Sequence, residues 1–127
     1  MRATTVRTRP STIAVAAVVD VVCVTGFAAV GRASHDEAVL TGLVLTAWPF
    51  LVALVAGWLV TLAWRRPVAP VRTGIGVWVV TVAGGMLLRA LTGAGTAPAF
   101  IVVATLTLGA LLVGWRAIAA LASRRRG

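Results

Sequence analysis

The chain has 127 residues, of which 60% are hydrophobic and only 12% charged, with a mean hydropathy of +1.01. A soluble domain of this size needs far more charge to cover its surface, so a water-soluble fold is excluded. The net charge of +9 would suggest nucleic acid in a soluble protein, but in so apolar a chain no nucleic-acid partner is expected.

Four apolar runs cover residues 11–31, 38–63, 74–93 and 98–120. Each meets or exceeds the ~20 residues that a helix needs to cross a ~30 Å hydrocarbon core. None alternates polar and apolar residues at period two, which argues against a transmembrane barrel. The expected fold is all-α: one four-helix membrane domain over residues 1–127, with almost no mass outside the bilayer.

The first run opens after Arg2, Arg7 and Arg9 and carries Asp20 near its middle. A carboxylate at the centre of a spanning helix costs about 2.5–3.5 kcal/mol on insertion scales. Nine apolar neighbours, Phe27 and the branched residues from Ile13 to Val30, return about 0.3–0.6 kcal/mol each and offset that cost. Asp20 is therefore a candidate either for an interhelical hydrogen bond or for proton or cation binding. Its most plausible charged partner is Arg89, at the outer end of the third run, although that side chain is more readily expected to snorkel to the interface. Arg32 lies about 18 Å along the same helix and is a poorer partner. The start of the run resembles a signal peptide, but its spanning length and Asp20 favour a retained helix. Cys23, the single cysteine, excludes an intramolecular disulfide and reads as a small hydrophobe.

The first connection reads Ser34-His35-Asp36-Glu37, a capping-box pattern for the second helix. His35 is a candidate pH-sensitive residue. With a single histidine in the chain, no metal site is expected. The second run contains Trp48-Pro49, a candidate hinge or static kink, and ends at the interfacial anchor Trp64-Arg65-Arg66. Thr96-Ala97-Pro98 reads as the cap and first turn of the fourth helix.

Ten of the twelve arginines fall on the N-terminal arm, the 65–72 connection and the segment 116–126. Only Arg32 and Arg89 fall on the other side, so both termini are expected in the cytoplasm. Anionic headgroups are sufficient partners for the ten. A shift of 57 residues places Arg32 on Arg89, Ala53 on Ala110, Gly57 on Gly114 and Trp58 on Trp115, so two parallel hairpin repeats are a candidate architecture. Ala53-x-x-x-Gly57 and Ala110-x-x-x-Gly114 are small-xxx-small patterns for close helix packing, to which Gly84 and Gly85 add a further close approach.

Asp20, Phe27-Ala28, Gly31-Arg32-x-Ser34-His35, Ala47-Trp48-Pro49-Phe50 and Gly57-Trp58 resemble a family of uncharacterised membrane proteins, DUF3054. So do Val77-Trp78, the stretch from Thr81 to Arg89 and Gly114-Trp115-Arg116. The resemblance implies a small bacterial or archaeal integral membrane protein and brings no activity with it.

No nucleophile elbow, phosphate loop or cofactor motif accompanies these residues. The expected function is a non-enzymatic, cofactor-free structural or interaction component of the cytoplasmic membrane, packing with itself or with a larger membrane partner. The alternative is a small proton- or cation-coupled transporter that uses Asp20.

Overall fold

The computed structural model describes residues 9–33 and 39–126. Four helices follow one another: α1 (Pro10–Ala33), α2 (Val39–Thr61), α3 (Gly76–Leu91) and α4 (Pro98–Arg126). There is no strand among the described residues. Spans long and apolar enough to cross a membrane run over Pro10–Val30, Gly42–Thr61, Pro70–Leu91 and Pro98–Arg125. Rows of Val, Leu and Ile point outward along every helix, including Val18, Val22, Val60, Leu87 and Leu106. Such an exterior suits hydrocarbon and would be an aggregation liability in water.

The helix boundaries differ from the sequence expectation mainly at two places. α4 continues to Arg126, beyond residue 120, because Ala, Leu and Arg are good helix formers and nothing in Ser123–Arg126 stops the helix. The third span begins early, with a π-helical turn at Pro70–Ile75 that feeds α3. In that turn the amides of Thr73 and Gly74 both donate to the Ala69 carbonyl, at 3.2 and 2.9 Å. Pro70 has no amide to lose at this first position. Thr73 Oγ1 ties the turn back to the Arg66 carbonyl at 2.5 Å. Pro98 opens α4, in the position its missing N–H favours.

At the far end of α3 the chain reverses through Gly93, at φ 73°. The Gly93 amide donates to Ala90 O at 3.3 Å and the Ala94 amide to Arg89 O at 2.9 Å. This double bond pattern is a Schellman closure, for which glycine supplies the left-handed backbone.

The α2–α3 interface is the most extensive in the bundle. Small residues make it possible. Gly84 lies against Ala53, Gly57 against the Val77 backbone, and Gly85 against the ring of Phe50. Without a hydrophobic force between helices in lipid, such close van der Waals contact is what holds them together. A Cβ on Gly85 would collide with the Phe50 ring, and Phe50 is fully buried. Gly85→Ala is expected to destabilise the fold by about 1–3 kcal/mol. A denaturant titration in mixed micelles measures it, and Phe50→Leu should relieve part of the loss. By contrast, Ala110 is exposed and the space beside Gly114 is open. Among the described residues, this second small pair packs against no neighbouring helix.

α4 is held by fewer contacts. Trp78 of α3 lies against Gly109 and donates its indole N–H to the Thr105 carbonyl at 2.8 Å. The three phenylalanines meet near the end of the bundle that holds the α3–α4 turn. Phe27 and Phe50 pack edge to face with centroids 5.4 Å apart, and Phe100 lies 6.0 and 6.1 Å from them. Pro49 is buried inside α2, which continues through it, and Trp48 beside it is partly exposed.

Candidate functional site

Asp20 lies ten residues into α1, counting from Pro10, and Arg116 lies ten residues before the end of α4 at Arg126. On antiparallel helices with a rise of ~1.5 Å per residue, equal offsets place the two side chains at the same depth. They meet there. Both are 0% exposed, and the guanidinium binds the carboxylate through two bonds, Nη2 to Oδ2 at 2.6 Å and Nη1 to Oδ1 at 2.9 Å. Two parallel N–H···O bonds to one carboxylate are the strongest geometry that arginine offers.

Two indoles complete the carboxylate's shell. Trp58, near the end of α2, donates Nε1–H to Oδ2 at 2.8 Å, and Trp115 of α4 donates Nε1–H to Oδ1 at 2.8 Å. Each carboxylate oxygen therefore accepts two bonds, so the acceptor capacity of the group is filled. Arginine has five N–H donors. Four are engaged: Nε donates to the Pro67 carbonyl at 2.8 Å, Nη2 donates to Asp20 at 2.6 Å, and Nη1 donates both to Asp20 and to its own helix at Leu112 O, each at 2.9 Å. The guanidinium carbon sits 4.7 Å from the Trp115 ring centroid, adding a cation–π contact. Gly74 of the π-helical turn lies close to the arginine's stem; a Cβ there would stand 3.1 Å from Arg116 Cδ.

The cluster thus joins α1, α2, the α2–α3 connection and α4. One carboxylate and one guanidinium satisfy each other where neither could be left alone in an apolar core. Thr81 Oγ1 is the one buried side-chain polar atom without a partner among the described residues. No cluster of metal-ligating side chains occurs among them either.

The candidate Asp20–Arg89 pair does not form. Arg89 turns back over its own helix end, where Nε donates to Gly95 O and Nη2 to Ala94 O, both at 3.0 Å. Its guanidinium carbon lies 4.3 Å from the Phe100 ring centroid. The α3–α4 turn offers these carbonyls within easy reach, while Asp20 lies deeper and on the other side of the phenylalanine cluster. Arg116, expected among the interfacial charges, is instead a core residue. Of the remaining sequence candidates, Arg32 falls within α1 but its side chain lies outside the described residues, as do Ser34, His35, Asp36 and Glu37. Trp48 shares a cavity of about 460 Å³ with Arg89 and Thr92, far from Asp20. Trp58 and Trp115 were present in the sequence motifs and in the 57-residue shift without an assigned role. Their common partner was the missing piece of information.

Helices of this length and apolarity around a buried ion pair define a polytopic helical protein with the composition of a membrane span. The model of one family, described as a protein of unknown function (DUF3054), matches residues 17–119. The chain belongs to that family. Asp20, Trp58, Trp115 and Arg116 all lie inside the matched region. No curated protein and no solved structure matches the chain.

Proposed function

We propose that the protein is a non-enzymatic, multi-pass component of the cytoplasmic membrane, with both termini in the cytoplasm, that packs with itself or with a larger membrane partner. The observation that carries this reading is the closed shell of Asp20. The single acid among the described residues is engaged by Trp58, Trp115 and Arg116, which fastens helices together and leaves no acceptor site for a reaction. Exposed Arg9, Arg65, Arg66, Arg72, Arg124 and Arg125 suit anionic headgroups on the cytoplasmic face. The outward faces of Ala110 and Gly114 suit a neighbouring helix. Chemical crosslinking in native membranes is expected to trap a homo-oligomer or a defined heteromer. Recovery of monomer alone across crosslinkers of different reach would overturn the proposal.

The second reading, a small proton- or cation-coupled transporter using Asp20, is favoured by two cavities that reach the site's indoles. One, about 220 Å³, is lined by Ser11, Thr12, Val68 and Trp115. The other, about 300 Å³, is lined by Ala17, Leu54, Trp58 and Trp64. Proton movement in proteoliposomes that vanishes in Asp20→Asn would favour transport over a purely structural role.

A further inference from the structure

The groove between α1 and α2 opens to the exterior and encloses about 300 Å³. Ala17 and Val21 line one side, Leu54 and Val55 the other, and the indoles of Trp58 and Trp64 complete it. Val21 and Val55 stand at its rim, 44% and 60% exposed, while Leu54 is buried at its floor. Helical periodicity does not bring Trp64 there. Six residues of continued α-helix would set it about 120° around the axis from Trp58. Instead Leu62 ends α2 at φ 53°, a conformation uncommon outside glycine. The short 3-10 turn Ala63–Arg65 then returns Trp64 to the groove. Arg65 and Arg66 at the end of that turn are exposed, and so is Arg9 just before α1. Both helices that wall the groove therefore carry cations at the same end of the bundle.

We propose that this groove holds one acyl chain of an anionic phospholipid, with its phosphate on Arg65 and Arg66. A helix of a second copy is about 10–12 Å across, too wide for a cleft this small between packed helices. A single acyl chain is a narrow, flexible rod and fits. The arginines at the mouth select an anionic headgroup over a zwitterionic one. Trp58 gives the bound chain a consequence inside the bundle. Its indole N–H donates to Asp20 at 2.8 Å while its ring lines the groove, so the chain packs against the ion pair's support without entering its shell. The proposal rests on the membrane placement given above and not on self-packing. Recovery of monomer alone by crosslinking would overturn the packing role and leave the lipid site standing.

The probe is phosphatidylglycerol with brominated acyl chains, titrated into the detergent-solubilised protein, with brominated phosphatidylcholine as the control. Bromine against Trp58 and Trp64 is expected to quench tryptophan fluorescence saturably, with the form of a single site. Phosphatidylglycerol should reach half-saturation at a concentration at least about tenfold lower, since each basic residue beside the headgroup adds to the preference. Arg65→Gln/Arg66→Gln should bring the two lipids together. Val55→Phe, which fills the groove from its rim, should weaken both. Ala17→Leu fills it from the opposite wall and should do the same, so the test survives if one variant fails to fold. Equal half-saturation for the two lipids in the wild type would overturn the proposal. So would saturable quenching that persists in both groove-filling variants. Loss of homo-oligomer crosslinks in those variants, with the lipid titration unchanged, would assign the groove to a second copy and overturn it as well.

Discussion

Replacing Arg116 with Met is expected to destabilise the protein by about 3–5 kcal/mol, and Asp20→Val by a similar amount, yet the double variant should recover most of the loss. Each single change leaves one charge buried without its partner, and that is the expensive state. Removing both charges takes away the attraction and the desolvation penalty together. An apolar pair of similar volume can then be close to neutral. The recovery should be incomplete for two reasons visible in the structure. Met cannot donate to Pro67 O as Arg116 Nε does, and Val leaves the indoles of Trp58 and Trp115 without the acceptor they share. A double-mutant cycle measured by denaturant titration in mixed micelles gives the coupling energy directly. Additive losses in the cycle would mean that the two side chains do not act as a pair.

The indoles provide the second large effect. Trp58→Phe and Trp115→Phe each keep an aromatic ring and remove one donor to a charged acceptor, at an expected cost of about 1.5–3 kcal/mol. The two should not be equivalent. Trp115 also stacks beside the Arg116 guanidinium at 4.7 Å, so its loss disturbs both members of the pair, and Trp115→Phe retains more of that stacking than Trp115→Leu. The same titration, with Leu as the third residue at each position, separates the lost donor from the lost ring. If Trp58→Phe and Trp115→Phe are both silent while the Asp20–Arg116 coupling persists, the indoles are not part of the carboxylate's support.

Much of the fold could be read because four apolar runs leave the chain no other low-energy arrangement in lipid: every backbone amide must find its partner inside a helix. The break before α4 was legible too, from Thr96-Ala97-Pro98. The π-helical turn at Pro70–Ile75 was not, since it depends on Arg116 lying against Gly74 and on Thr73 reaching back to Arg66. Asp20 stood out in the sequence through its insertion cost alone. Its partner did not, because a count of arginines by membrane side treats every arginine as interfacial. The equal offsets of ten residues from the Pro10 end of α1 and the Arg126 end of α4 became visible only with the extension of α4 beyond residue 120. The 57-residue shift that superposes Trp58 on Trp115 carried further information, since both indoles turn out to serve the one carboxylate.

The ion pair joins residues 96 positions apart, and that separation sets a schedule for synthesis. α1 emerges first, and at about 5–20 residues per second its carboxylate precedes the arginine that neutralises it by roughly 5–20 s. During that interval the valine-rich remainder of α1, joined in time by the Trp58 indole of α2, has to keep Asp20 in the bilayer without a countercharge. A chain cut short before α4 never acquires the countercharge, so its first helix carries a permanent marker of incompleteness. The same two residues that close the finished bundle therefore distinguish a finished chain from an unfinished one.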